Sequence, residues 1–257
     1  MAIDLNCDLG EGFGAWDMGN DAAMIELATS VNIACGFHAG DADIMRRTVE
    51  LAKARGVSVG AHPGYRDLHG FGRRPFLGMK ASEIENLVAY QIGALQAMAT
   101  YAGVKVTHLK PHGALNNMAA EDSQYALAIG RAIKTVDPSI IYVALGGSEM
   151  EKAGRKLGLP VAVEGFCDRQ YDDDGNLTSR KIPGSVLKDA AAATRQVIDM
   201  VVNNFITSRN GKKIPCKVHS LCVHGDEPTG VATARAVREG LEKAGVKLVP
   251  LTEMPLD

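Results

Sequence analysis

The chain has 257 residues, 28 basic and 30 acidic side chains, a formal net charge of −2, and 46 % hydrophobic against 23 % charged residues. These are ordinary globular values, which exclude collagen-like, fibrous and disordered chains. The near-zero charge offers no overall basic field for nucleic acid or an anionic membrane surface.

In chain order, short β-branched runs alternate with helical stretches. Residues 3–7 read as a first strand, and 22–28 carry a helical pattern. A strand at 31–35 precedes a helix capped by Asp41 or Asp43, with Ile44, Thr48, Leu51 and Ala52 on one face and a stop at Gly56. A strand at 57–61 leads through a glycine-rich loop to Ser82 and Glu85, spaced as a capping box. Further strands are expected at 104–109, 140–145, 161–163 and 218–223, with 246–249 as one more. Between the third and fourth strands, 86–104 is uncharged, but Asn86, Gln91, Gln96 and Thr100 make it too polar to span a membrane, so a buried helix is expected. Asp4 and Asp8 interrupt the early apolar run that a secretory signal needs. Five scattered cysteines contain no CxxC pair, which fits buried thiols in a cytoplasmic protein.

Strands alternating with helices indicate a parallel α/β sheet. Seven or eight such units without a linker favour one closed barrel over residues 1–257. The loops at 63–80 and 166–183 follow strands, where a barrel builds its active face; the stretch 208–215 precedes a strand and reads as a surface connection.

The polar residues gather behind the strands. Asn6, Asp8 and Glu11 follow the first; His38 and Asp41 the second; His62 and Arg66 the third; Lys110 and His112 the fourth; Asp168 and Arg169 the sixth; His224 and Asp226 the seventh. The loops at the opposite end, such as Lys53-Ala54-Arg55-Gly56, have plain surface composition. His69, His108 and His219 read as structural or surface residues, whereas His38, His62, His112 and His224 converge on one rim. Lys110, next to Pro111, is suited to a substrate carboxylate or a developing oxyanion. Carboxylates and histidines on separate strands suit a divalent metal, with Asp8, His38, His62 and His112 as the candidate ligands. The run 172–176 lacks the glycine position and distal glutamate of a calcium loop. P-loop, GxGxxG and GxSxG patterns are absent.

The segments DLNCDLGE (4–11), NIACGFHAGD (32–41), GAHPGY (60–65), LKPHGAL (109–115), DRQY (168–171) and VHGD (223–226) together resemble the LamB/YcsF family, the A subunits of the prokaryotic ATP-dependent 5-oxoprolinase. The resemblance covers essentially the whole chain, with one departure: Asn116 stands where that family usually has tyrosine. It implies a seven-stranded β/α barrel, TIM-barrel-like and of the glycoside hydrolase/deacetylase type. It also implies opening of 5-oxo-L-proline to L-glutamate, with ATP as co-substrate, in a complex with subunits B and C. Self-association is compatible with it. Such chemistry needs a base for water, cations for oxyanion and phosphate, and an acid for the ring nitrogen. On that need, Asp8, Glu11, Asp41, Lys110, His224 and Asp226 are the catalytic candidates. Asn6, His38, His62, Arg66, His112 and Arg169 are the candidates for binding substrate. The rival readings are a metal-dependent deacetylase or amidohydrolase acting alone, and a protein that binds substrate without catalysing.

Overall fold

The structure is a computed structural model and describes residues 1–225 and 229–256. The elements run β1 (Ala2–Leu9), α1 (Asp21–Met24), β2 (Ser30–Ala34), α2 (Ala42–Ala54), β3 (Ser58–His62), α3 (Ala81–Ala102), β4 (Val106–Leu109), α4 (Gly113–Glu121), α5 (Ser123–Val136), β5 (Ile141–Leu145), α6 (Glu149–Leu157), β6 (Val161–Phe166), α7 (Ala190–Val202), β7 (Phe205–Thr207), β8 (Lys213–Pro215), β9 (Ser220–Cys222), α8 (Gly230–Lys243) and β10 (Lys247–Leu248). Strands β1 to β6 pair in sequence, all parallel, and β9 pairs with both β6 and β1. Seven staves therefore close a β/α barrel, as expected. The expected last strand is short: β10 pairs only with Ala2 and Ile3 and is not a stave.

Alternation along β1 explains the layering. Ile3, Leu5, Cys7 and Leu9 are buried in the apolar core, whereas Asp4, Asn6 and Asp8 form polar contacts with other strands. Such an interior usually holds branched aliphatic side chains. Here it is polar in storeys: Asp4 with Ser30 and Ser220, then Asn6 with Asn32 and Glu164, then Asp8 with Lys110. Ile141, Val143 and Ala162 form a small apolar cluster with Leu251 of the C-terminal turn.

Three local expectations change. The helix after the glycine-rich loop starts at Ala81, where Glu83 accepts from the Lys80 N–H at 2.7 Å. Ser82 and Glu85 are therefore not its capping box, and Glu85 instead pairs with Arg131. The pattern at 22–28 condenses to the single turn α1. The stretch 208–215 holds β8, which pairs antiparallel with β7 as a separate ribbon, the Lys213 ammonium lying over the Phe205 ring at 4.4 Å. The expected buried helix is α3, with Val88, Gln91, Ile92 and Leu95 inside. No helix among the described residues is long and apolar enough to cross a membrane.

Candidate active site

A cavity of about 450 Å³ opens at the strand ends, lined by Asp8, Glu11, His62, Lys110, His112, Asn116, Arg169 and His224 among others. That volume is in the range of small-molecule sites. Lys110, just past the end of β4, is 3 % exposed. Its Nζ lies 3.0 Å from Asp8 Oδ1, 3.2 Å from Glu164 Oε1 and 3.0 Å from Cys222 Sγ, with the Phe166 ring 5.2 Å away. Burial alone would strip its proton, but Asp8, Cys222 and Glu164 together outweigh this and raise the amine well above the ordinary lysine range. Burial likewise pushes the Asp8 carboxyl up, and His62 and Lys110 overcome that and hold it well below the usual carboxylate range. Glu164 goes the other way: burial raises it and Lys110 only partly compensates.

Asp8 is aimed by a relay. His108 Nε2 donates to Asn32 Oδ1 at 3.1 Å, and Asn32 Nδ2 donates to Asp8 Oδ1 at 2.8 Å and to Asn6 Oδ1 at 2.7 Å. Burial lowers His108 to about 3, so it stays neutral. Gly60 makes room for the ring, since a Cβ there would lie 2.1 Å from His108 Nε2.

Beside Asp8 stands a histidine cluster. His62 Nε2 is 3.3 Å from Asp8 Oδ2, and His62 Nδ1 donates to the Lys110 carbonyl at 2.7 Å. His112 Nε2 donates to the Phe71 carbonyl at 2.8 Å, while its Nδ1 faces His62 Nε2 at 3.0 Å and Glu11 Oε1 at 3.3 Å. His38 stacks on His112 with ring centroids 3.7 Å apart and an interplanar angle of 2°, its Nε2 3.1 Å from Glu11 Oε1. Burial, reinforced by His112, lowers His38 to about 3. Burial also lowers His112, against the pull of Glu11.

Across the cavity, His224 Nδ1 sits 2.9 Å from both oxygens of Asp168. Arg169 is buried in the same wall; one guanidinium nitrogen donates to the Thr178 carbonyl at 2.7 Å, and its Nε has no protein partner. Burial and the neighbouring Arg180 lower Arg169 to about 10.

Of the residues expected at the site, Asn6, Asp8, Glu11, His38, His62, Lys110, His112, Arg169 and His224 are brought together. Asp41 is not: its carboxylate caps α2, accepting from Asp43 and Ile44, and also holds the Gly14 N–H at 2.8 Å. Arg66 is exposed and lies over the Phe37 ring. Asp226 lies outside the described residues. The sequence reading missed Asn32, His108, Glu164 and Cys222 as parts of the site. All four sit within strands at inward positions, where a polar residue in an otherwise apolar run was the available signal. Asn116, the departure from the usual tyrosine, lines the cavity.

Two groups among the described residues bring metal-capable donors within 4.8 Å of one another: Glu11, His38, His62 and His112, and separately Asp8, Cys222 and His224. Asp8, expected with the three histidines, is thus grouped elsewhere and Glu11 stands in its place.

A closed β/α barrel whose strand ends carry a lysine–carboxylate centre and paired histidines has the build of an enzyme that moves protons and stabilises anions. Residues 3–255 match the model of the LamB/YcsF family, and the chain belongs to that family. It is 65 % identical over 248 residues to a protein of Bradyrhizobium diazoefficiens named as a second 5-oxoprolinase A subunit, covering 96 % of this chain and 97 % of that one. The crystal structure of a lactam utilization protein from Thermus thermophilus is 42 % identical, covers 97 % of this chain and 99 % of its own, and superposes with a TM-score of 0.91. The peptidoglycan N-acetylglucosamine deacetylase Bc1960, 12 % identical with a TM-score of 0.51 over 98 % of this chain and 87 % of its own, shares the fold alone.

Proposed function

We propose that this chain is the A subunit of a cytoplasmic 5-oxoprolinase and opens the lactam of 5-oxo-L-proline to L-glutamate, with ATP as co-substrate and partner subunits B and C. The observation that carries the reading is Lys110, a buried ammonium held at the strand ends between two carboxylates, on a chain 65 % identical to a protein of that name. An unstrained amide resists water, so phosphorylation of the lactam oxygen supplies the drive. The γ-phosphoryl bond to ADP breaks as the oxygen–phosphorus bond forms. Water then adds to the carbon, the carbon–nitrogen bond breaks, and the nitrogen takes a proton; a second water releases phosphate and leaves glutamate.

The residues divide this work. Lys110, fully charged, stabilises the oxyanion of the tetrahedral stage, a contribution worth about 10²–10³-fold in rate. Asp8, locked as a carboxylate, orients Lys110 and His62 and keeps the lysine charged. His224, its Nδ1 fixed by Asp168, has the partner geometry of a proton carrier and takes the proton from water and gives one to the ring nitrogen. Arg169, with a buried Nε lacking a protein partner, binds the substrate carboxylate or the phosphoryl oxygens.

Purified chain, alone and with its partner subunits, assayed for glutamate from 5-oxoproline with and without ATP, tests the reading. Glutamate only with partners and ATP supports it. ATP-independent hydrolysis of an acetylated sugar by the chain alone would replace it with the deacetylase reading. Full activity of a complex carrying Lys110→Met would reduce the chain to a binding role.

A further inference from the structure

We propose that Glu11, His62 and His112 form a three-ligand site for a divalent transition-metal ion of the zinc class, with His38 holding Glu11 in place. The donors come from the ends of three strands: Glu11 after β1, His62 at the end of β3 and His112 after β4. His112 Nδ1, His62 Nε2 and Glu11 Oε1 are separated by 3.0, 3.3 and 3.9 Å. An ion about 2 Å from all three, the usual distance for nitrogen and carboxylate ligands, fits close to their plane and keeps an open side for water or substrate.

Tautomers supply the second, independent reason. The far nitrogen of each ligating ring donates to a backbone carbonyl, His62 Nδ1 to Lys110 and His112 Nε2 to Phe71. In their neutral forms His62 Nε2 and His112 Nδ1 therefore both present lone pairs, facing each other at 3.0 Å. A cation between them removes that repulsion: a proton on His62, which Asp8 at 3.3 Å favours, or a metal ion bonded to both nitrogens, for which Glu11 Oε1 at 3.3 and 3.9 Å supplies the third donor. Rings pinned through their second nitrogen to a carbonyl are the usual support of metal-bound histidine.

His38 is excluded as a ligand by its own geometry. Its ring is parallel to His112 at 3.7 Å, so an ion lying in the plane of one ring is far out of the plane of the other. Its Nε2 donates to Glu11 instead, which leaves the buried Nδ1 of the neutral ring as an acceptor without a protein partner. The cage is closed around these rings by Gly72, where a Cβ would lie 2.7 Å from His38 Cβ and 2.8 Å from His112 Cδ2. The nitrogen-rich donor set favours a borderline first-row ion over magnesium or calcium. Adjacent to Asp8, the ion would polarise the lactam carbonyl or a water; that use rests on the proposed function, whereas the site itself does not.

The test uses the full chain stripped with chelator and refilled with Co²⁺, read by visible absorption and by calorimetric titration with Zn²⁺. The expected result is one ion per chain with the intense d–d bands of a low-coordinate cobalt site and no thiolate charge-transfer band. His62→Gln and His112→Gln should each lose the bands. His38→Gln should weaken affinity about 10–100-fold while retaining the spectrum, as loss of a supporting contact does. A folded wild-type chain that binds neither ion at millimolar concentration overturns the proposal. So does a cobalt spectrum unchanged by His62→Gln or carrying a thiolate band, which would move the ion to Cys222. Circular dichroism of each variant separates lost ligation from lost fold.

Discussion

Lys110 balances the buried Glu164 carboxylate and the partly buried Asp8 carboxylate, and replacing it by methionine isolates that duty. Removing one partner of a buried ion pair destabilises by about 3–5 kcal/mol. Asp8 keeps His62, and Glu164 keeps the Asn6 amide at 2.9 Å, so Lys110→Met should fall near the low end. A loss of about 3 kcal/mol in a chain of this size corresponds to a drop in Tm of about 6–12 °C. The charge left uncompensated is chiefly that of Glu164, whose carboxyl is already raised by burial. A carboxyl with a folded-state pKa above its unfolded value takes up a proton on folding, so acidification adds stability. The deficit of Lys110→Met should therefore shrink from about pH 8 to about pH 5. The double variant Lys110→Met/Glu164→Gln should recover at least half the lost Tm at the alkaline end, yet stay about 10²–10³-fold down in kcat because the oxyanion cation is gone. Differential scanning fluorimetry and urea midpoints across pH measure this. A double variant no more stable than the single would refute the assignment of Lys110 as the counter-charge of Glu164.

Gly60→Ala should displace the His108 ring, break the relay through Asn32 to Asp8, and destabilise by about 1–3 kcal/mol; urea unfolding measures it, and kcat should fall while KM changes little. Asp4, raised to about 6 by burial, takes up a proton on folding. Its stabilising effect is therefore fully present below the unfolded carboxyl range and is lost as pH rises past about 6, so Asp4→Asn should gain on wild type between about pH 5 and about pH 8 in urea midpoints taken at both values. Arg169→Met should raise KM for 5-oxoproline or ATP tenfold or more, with little change in Tm; an unchanged KM for both would remove Arg169 from the anion site.

The barrel was legible because β-branched runs and helical faces alternate from Ile3 to Val249. The rim was legible because histidines and carboxylates cluster after the strands. The inward polar column was harder to see. Asn32 and Glu164 sit inside strands, where only the closed sheet shows that they face Lys110 and Asp8 rather than solvent. Asp41 illustrates the opposite failure. A carboxylate after β2 can face the cavity or cap α2, and the backbone N–H groups of Asp43 and Ile44 settle the choice. The ribbon β7–β8 escaped notice because three-residue strands holding Lys213 and Pro215 carry little apolar pattern. Glu11, just past β1, joins the histidines only through the path of the loop.

Ring opening is proposed to take place at the Asp8–Lys110 centre. Its most direct test is the turnover of 5-oxoproline to glutamate, with ATP, by the reconstituted complex carrying Asp8→Asn, beside a complex carrying Arg66→Ala on the exposed loop. The prediction is a loss of at least about 10²-fold in kcat for Asp8→Asn with its fold intact, and wild-type turnover for Arg66→Ala. Wild-type turnover from a folded Asp8→Asn complex would contradict it.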